Sequence, residues 1–283
     1  MPLFFWSKGL KTVFYKLIKI KMEILAKSEN KIKFVIDDIN HVIANTLRRA
    51  VMTQVPVMAI KEINVVKNNS GLYDEILAHR MGLVPLKTDL GAYNLPSECK
   101  CKGNGCALCR VNLTIDVKGP CTVYSSDFKS DDPKVVPVFD KMPLTKLNDK
   151  NQALKIEAVA TLGIGKEHAK FSPGLMFYQA YPSIKVENKL ENVKNCKEVC
   201  PTNVYEVEGD KLKVKNLLNC TLCNACSEIA EPEGSINVES SKTKFIFTLE
   251  SWGQLEEKEL MKEAFKAIEK NLSELEKEIK KIK

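Results

Sequence analysis

Asp38-Ile39-Asn40-His41-Val42-Ile43-Ala44-Asn45-Thr46-Leu47-Arg48-Arg49-Ala50-Val51-Met52-Thr53-Gln54-Val55-Pro56 opens the stretch, running on to Leu86, that decides the fold. Ile39, Val42, Ile43, Leu47, Ala50, Val51 and Val55 recur at helical spacing and lay one apolar stripe along a helix of about four to five turns. Asp37 or Asp38 is placed to cap its first turn, and Pro56 stops it, because proline disfavours helical geometry at Val55 and cannot donate a backbone bond. The other face carries Asn45, Arg48, Arg49 and Thr53. The β-branched run Ile60 to Val66 then predicts a strand, and Asn68-Asn69-Ser70-Gly71 a turn. After the turn comes Asp74-Glu75-Ile76-Leu77-Ala78-His79-Arg80-Met81-Gly82-Leu83-Val84-Pro85-Leu86.

Periodicity alone says helix, strand, turn, helix. Two blocks say more: Asn45-Thr46-Leu47-Arg48-Arg49, and then Asp74-Glu75 with His79-Arg80-Met81-Gly82-Leu83-Val84-Pro85-Leu86. Together they resemble the signature of the α-like subunits of multisubunit RNA polymerases, nearest to the archaeal D subunits, counterparts of the eukaryotic third-largest subunit and of the bacterial α N-terminal domain. A solvated face would explain Arg48-Arg49 standing alone, but not both blocks at this separation.

The chain has 283 residues, room for two or three domains with a substantial core. Its net charge is +7, yet Lys8, Lys11, Lys16, Lys19 and Lys21, with no acid among residues 1–21, supply five of those charges, leaving +2 for the rest. A nearly neutral body argues against direct DNA binding. No run of about eighteen apolar residues is present, so no membrane span is expected. Leu3-Phe4-Phe5-Trp6 is too short for a signal-peptide core. Trp6, Leu10, Val13, Phe14, Leu17 and Ile18 trace a helical face that could lie on a membrane surface; the competing reading is a start codon placed too early, with the native chain beginning near Met22.

Further strands are expected at Met22–Leu25, Ile32–Ile36, Val111–Val117, Ala153–Thr161, Ser183–Val186 and Lys244–Glu250. Pro137, Pro143, Pro173 and Pro182 punctuate the middle of the chain. His168-Ala169-Lys170-Phe171-Ser172-Pro173-Gly174 also resembles the family's second domain, and His41, His79 and His168 read as structural hydrogen bonders. Residues 254–283 form a long helix with Met261, Phe265, Ile268, Leu272, Leu275, Ile279 and Ile282 alternately four and three apart. That is a heptad seam, narrower than the face of a core helix, and it asks for a partner helix. The alternative is a core helix of a single domain.

Eight of ten cysteines, Cys121 and Cys196 being the other two, stand in two groups at metal-ligand spacing, which points to a reducing compartment rather than a disulfide framework. Cys99-x-Cys101-x4-Cys106-x2-Cys109 suits a tetrahedral Zn²⁺ loop, with Gly103-Asn104-Gly105 letting it fold back; a reduced loop without metal is the competing reading. The eukaryotic counterparts carry a similar zinc loop with one residue fewer in the middle gap. Cys196-x3-Cys200-Pro201 and Cys220-x2-Cys223-x2-Cys226 resemble pieces of a two-cluster ferredoxin, in which each run reads C-x2-C-x2-C-x3-C-P and the fourth cysteine ligates the other cluster. On that alignment Leu190 and Val193 stand where the first run has lost two ligands, and Ala230 stands at the fourth position of the second. The resemblance therefore implies one [4Fe–4S] cluster on Cys200, Cys220, Cys223 and Cys226, with Cys196 an unligated remnant. A [3Fe–4S] form is less expected, since no ligand is missing, and four thiolates also suit zinc. Val204 to Val214, turning at Gly209-Asp210, reads as the ferredoxin hairpin. Cys121 has no companion and reads as structural.

The expected architecture is α+β. A discontinuous α-like dimerisation domain (22–58 and 241–283) carries an inserted α+β domain (59–187, with the zinc-type loop 99–109) and a ferredoxin-like iron–sulfur domain (188–240), behind an extension, 1–21, that is disordered or not native. The resemblance implies a cytoplasmic, non-catalytic assembly subunit of archaeal RNA polymerase that pairs with subunit L, joins the small subunits N and P and the large catalytic subunits, and meets DNA only through the assembled enzyme. No acidic cluster resembles the Mg²⁺ site of nucleotidyl transfer. The rival reading is a ferredoxin-like electron-transfer or redox-sensing protein.

Overall fold

The computed structural model describes residues 22–282; the expectations placed on residues 1–21 lie outside them. In chain order, β1 (Met22–Lys27) and β2 (Lys31–Ile36) precede α1 (His41–Thr53), β3 (Pro56–Asn68) and α2 (Asp74–Gly82). There follow β4 (Val111–Lys118), β5 (Cys121–Tyr124), β6 (Lys129–Ser130), β7 (Pro143–Leu147), β8 (Ala153–Ile164) and β9 (Gly174–Val186). The chain then forms α3 (Val193–Glu198), β10 (Tyr205–Glu208), β11 (Lys211–Val214), α4 (Ala225–Glu228), β12 (Ile236–Ser251) and α5 (Glu257–Lys281). This is a mixed α+β protein. No described helix is long and apolar enough to cross a membrane.

The first helix corrects one expectation. The Asp37 carboxylate accepts the Asp38 amide, and Asp38 sits at φ 59, in the left-handed region. That turn delays the helix to His41, and Asn40 becomes the cap, its Oδ1 accepting the amide of Ile43 at 2.9 Å. Leu47, Ala50, Val51 and Val55 are buried as the stripe requires, while Val42 stays 58% exposed. Asn40→Ala is expected to lower stability by about 1 kcal/mol, read as a lower midpoint in thermal or denaturant unfolding.

By contacts the described chain divides into two compact units. One holds the residues up to Ala26, Lys33–Asn45 and Phe177–Thr248; the other holds Lys27–Ile32, Thr46–Met176 and Leu249–Lys283. The first is built on a sheet in the order β1-β2-β12-β9. Phe34 stacks on Phe247 at 5.4 Å between centroids, and Tyr178 meets Phe245 edge-on at 5.7 Å. Both β9 and β12 are longer than expected, starting at Gly174 and Ile236 rather than Ser183 and Lys244. Pro182 interrupts nothing because β9 is an edge strand, where a missing amide is tolerated. The β10–β11 hairpin turns at Gly209-Asp210, with Gly209 at φ 62.

The second unit is built on β3-β8-β4-β6, with β5 and β7 as a separate antiparallel pair. Strand β4 alternates buried and exposed, so Val111, Leu113 and Ile115 join Leu77 and Met81 of α2 in one core. The short strands β5, β6 and β7 were not expected from the sequence. A register shift between Ile60 and Glu62 is closed by Lys170, whose Nζ donates to the Ile60 carbonyl at 2.9 Å. His168 is a hydrogen bonder as expected, its Nδ1 accepting the Lys170 amide at 3.1 Å. Gly174 must be glycine, since a Cβ there would strike the Glu250 carbonyl. Helix α5 buries Leu260 and Ala264, and Asn271 Nδ2 donates to Gln54 Oε1 at 2.8 Å. Its heptad seam is another matter: Leu275 is 49% and Ile282 83% exposed, and Met261, Phe265, Ile268, Leu272 and Ile279 are only half-buried.

Candidate metal centres

The loop between α2 and β4 is wound from successive tight turns. Lys102 donates to the Cys99 carbonyl (2.9 Å), Asn104 to that of Cys101 (3.1 Å) and Cys109 to that of Cys106 (2.9 Å). Lys102, Gly103 and Gly105 take positive φ of 52°, 84° and 84°, which folds the two cysteine pairs face to face. The four sulfurs of Cys99, Cys101, Cys106 and Cys109 lie within 4.8 Å of one another. Cys99 and Cys106 stand 3.5 Å apart, Cys101 and Cys109 3.5 Å, and Cys106 and Cys109 3.8 Å. A tetrahedral zinc with bonds of about 2.3 Å would put its sulfurs about 3.8 Å apart, so these spacings match a single ion. The Cys106 amide also donates to the Cys109 sulfur at 3.3 Å, as a bound thiolate needs.

Electrostatics within the loop are uneven. The hydrogen bond from Cys99 holds the Cys101 thiol down at about 6, whereas burial pushes Cys109 up to about 12. Four thiolates cannot share this space without a cation. Among the described residues, this is the one grouping of three or more His, Cys, Asp or Glu compact enough for a single ion.

The second group is built differently. Cys200 follows α3, Cys220 ends the short 3₁₀ turn Leu217–Asn219, Cys223 lies in the loop beyond it, and Cys226 is the second residue of α4. Left-handed residues aim them inward: Asn203 at φ 51, Leu222 at φ 61 and Asn224 at φ 61. All four cysteines line one cavity, together with Thr202 and Tyr205. Two backbone amides donate to the sulfurs, that of Val204 to Cys200 at 3.5 Å and that of Leu222 to Cys220 at 3.4 Å, and the Tyr205 hydroxyl oxygen stands 3.0 Å from the Cys226 sulfur. Four thiols lining one cavity, two of them met by backbone amides, could hold a metal ion or an iron–sulfur cluster.

Cys196 is not among them. Its side chain is fully buried in the small core of this region, and its thiol donates to Asn192 Oδ1 at 3.3 Å. Burial raises the Cys196 pKa; at Cys200 burial is outweighed by the amides of Val204, Thr202 and Asn203, and the pKa falls. Sequence reasoning missed two residues here. Asn192 ties the region together, donating to the Ile229 carbonyl at 2.6 Å and accepting the Glu231 amide at 3.1 Å. Tyr205, which meets Cys226, was also passed over, since nothing in its local spacing sets it apart. Cys121 stands away from both groups, its thiol donating to the Lys118 carbonyl at 3.4 Å.

Residues 18–176 match the family described as the RNA polymerase Rpb3/RpoA insert domain. The chain is similar to the DNA-directed RNA polymerase subunit Rpo3 of Archaeoglobus fulgidus, 40% identical over 263 residues, covering 93% of this chain and 98% of the relative. The Rpo3 subunit of Methanosphaera stadtmanae is 38% identical over 244 residues, 83% of this chain and 90% of the relative. That of Pyrobaculum arsenaticum is 34% identical over 255 residues, 88% and 92%.

Proposed function

This chain belongs to the RNA polymerase Rpb3/RpoA family, among the Rpo3 subunits of archaeal DNA-directed RNA polymerase, and from that premise we infer that its work is assembly rather than chemistry. The observation that carries the reading is the open seam of α5. Of seven apolar residues at heptad spacing, five are only half-buried and Leu275 and Ile282 are exposed, so the seam needs a second helix to exclude water. We assign residues 22–58 and 241–283 to a dimerisation domain, 59–187 to the insert and 188–240 to a ferredoxin-like domain. The seam's occupant is subunit L, and on that pair the small subunits N and P and the large catalytic subunits assemble in the cytoplasm. The subunit reaches DNA only through the complete enzyme.

Both cysteine groups are structural on this reading. Metal binding supplies folding energy to small loops that cannot build a sufficient core. Zinc is assigned to Cys99, Cys101, Cys106 and Cys109, and one [4Fe–4S] cluster to Cys200, Cys220, Cys223 and Cys226. Metal analysis of the full chain, purified with its partner, is expected to return about one zinc per chain, lost on Cys109→Ser. Full zinc retention in that variant would place the ion elsewhere.

The reading as a whole is tested by tagging the chain in an archaeal host and purifying it without oxygen. Recovery of the large polymerase subunits with a smaller α-like partner is the expected result. Recovery of redox enzymes in their place would favour the electron-transfer reading.

A further inference from the structure

We propose that Tyr205 tunes the electron affinity of the cluster held by Cys200, Cys220, Cys223 and Cys226, by donating a hydrogen bond from its hydroxyl to the Cys226 sulfur. This rests on the cluster assignment above. Tyr205 opens β10, where it pairs with Val214 across the hairpin, so its ring is fixed by a strand rather than by a loop. It is 4% exposed and Cys226 7%, and the oxygen and sulfur stand 3.0 Å apart. A hydroxyl so buried must find a partner.

Between a phenol and a free thiol either atom could donate. A cysteine bound to metal has lost its proton, so the phenol must be the donor. The position is also asymmetric. Cys226 and Cys220 are buried, while Cys223 is exposed, so Tyr205 acts on the dry side, where a hydrogen bond is least diluted by water. The contacts from the Val204 and Leu222 amides are longer, at 3.5 and 3.4 Å, and come from backbone, which only proline could remove while also altering the chain's local geometry. Thr202 Oγ1 is farther still, 3.8 Å from the Cys200 sulfur. Tyr205 is thus the closest donor and one that a substitution can change.

A donor to a ligand sulfur binds more strongly when the cluster carries the extra electron, because the sulfur is then more negative. Removing the donor makes reduction harder. The full chain, purified with its partner and reconstituted anaerobically, is to be compared with Tyr205→Phe and with a form carrying 3-fluorotyrosine at position 205. Equal iron and sulfide contents are expected in all three. The midpoint potential, followed by electron paramagnetic resonance during a dithionite titration, shifts negative in Tyr205→Phe and positive with the more acidic fluorophenol. The same potential in all three overturns the proposal. So does loss of the cluster in Tyr205→Phe with no shift in the fluorotyrosine form, since that is a packing role alone. Should Tyr205→Phe not fold, the fluorotyrosine form, which keeps the shape, decides by itself. A parent protein that binds no iron overturns the cluster assignment and this inference with it.

Discussion

Cys200→Ser is expected to strip the protein of its four-iron cluster, or reduce it to a three-iron form, while Cys196→Ser leaves the cluster whole. The two residues are four apart and both are cysteines, so composition does not separate them. Their surroundings do. Cys200 lines the cavity with Cys220, Cys223 and Cys226, and the Val204 amide faces its sulfur at 3.5 Å. Cys196 is fully buried in the same small core but does not line that cavity, its thiol donating to Asn192 Oδ1 at 3.3 Å and standing 3.9 Å from the Cys226 carbonyl. Serine at 196 keeps a donor for Asn192 and loses only a little volume. Serine at 200 removes a ligand, and the region from 188 to 240 then loses the metal that helps to fold it. Anaerobically reconstituted protein is expected to hold about four iron and four sulfide in the parent and in Cys196→Ser, and at most about three iron in Cys200→Ser. Pairing with the partner survives in both. Equal loss at the two positions would contradict the ligand set, and loss of pairing would contradict the domain assignment.

Leu272→Asp combined with Leu275→Asp is expected to abolish pairing without unfolding the chain. Leu275 is 49% exposed and Leu272 half-buried, so the chain alone tolerates charge at both positions. In a paired seam both become desolvated, and an unpaired buried charge costs about 3 kcal/mol or more. At about 1.4 kcal/mol per tenfold, even one such charge weakens association more than a hundredfold. Light scattering on the eluted complex reads the loss, and circular dichroism checks that helix content is kept. A double variant that still pairs at parental affinity would move the interface off α5.

How much of this was legible beforehand depends on the length of each pattern. The seam from Met261 to Ile282 spans about three heptads, enough for its period to stand out, and α5 lies where it was expected. Strands of two to five residues, β5, β6 and β7, are too short to show a period and are held by partners distant in sequence. The early start of β9 was hidden by Pro182, whose tolerance depends on an edge position that only the sheet order reveals. Asn40 caps α1 after a left-handed Asp38, a backbone choice local propensity does not announce. At the candidate sites, spacing singled out Cys99, Cys101, Cys106 and Cys109, whose sulfurs the fold brings within 4.8 Å of one another. The amides, Asn192 and Tyr205 that surround the second group arrive through tertiary folding, and no spacing encodes them.

The central claim is that this subunit is the platform on which the polymerase is built, and reconstitution from separated subunits tests it most directly. The large catalytic subunits, the small subunits and the α-like partner are mixed with and without the chain, then resolved by sedimentation and assayed for templated RNA synthesis. With the chain present, one complex that transcribes is the predicted result; without it, the large subunits sediment apart and are inactive. A complete, transcribing enzyme formed in its absence would contradict the account.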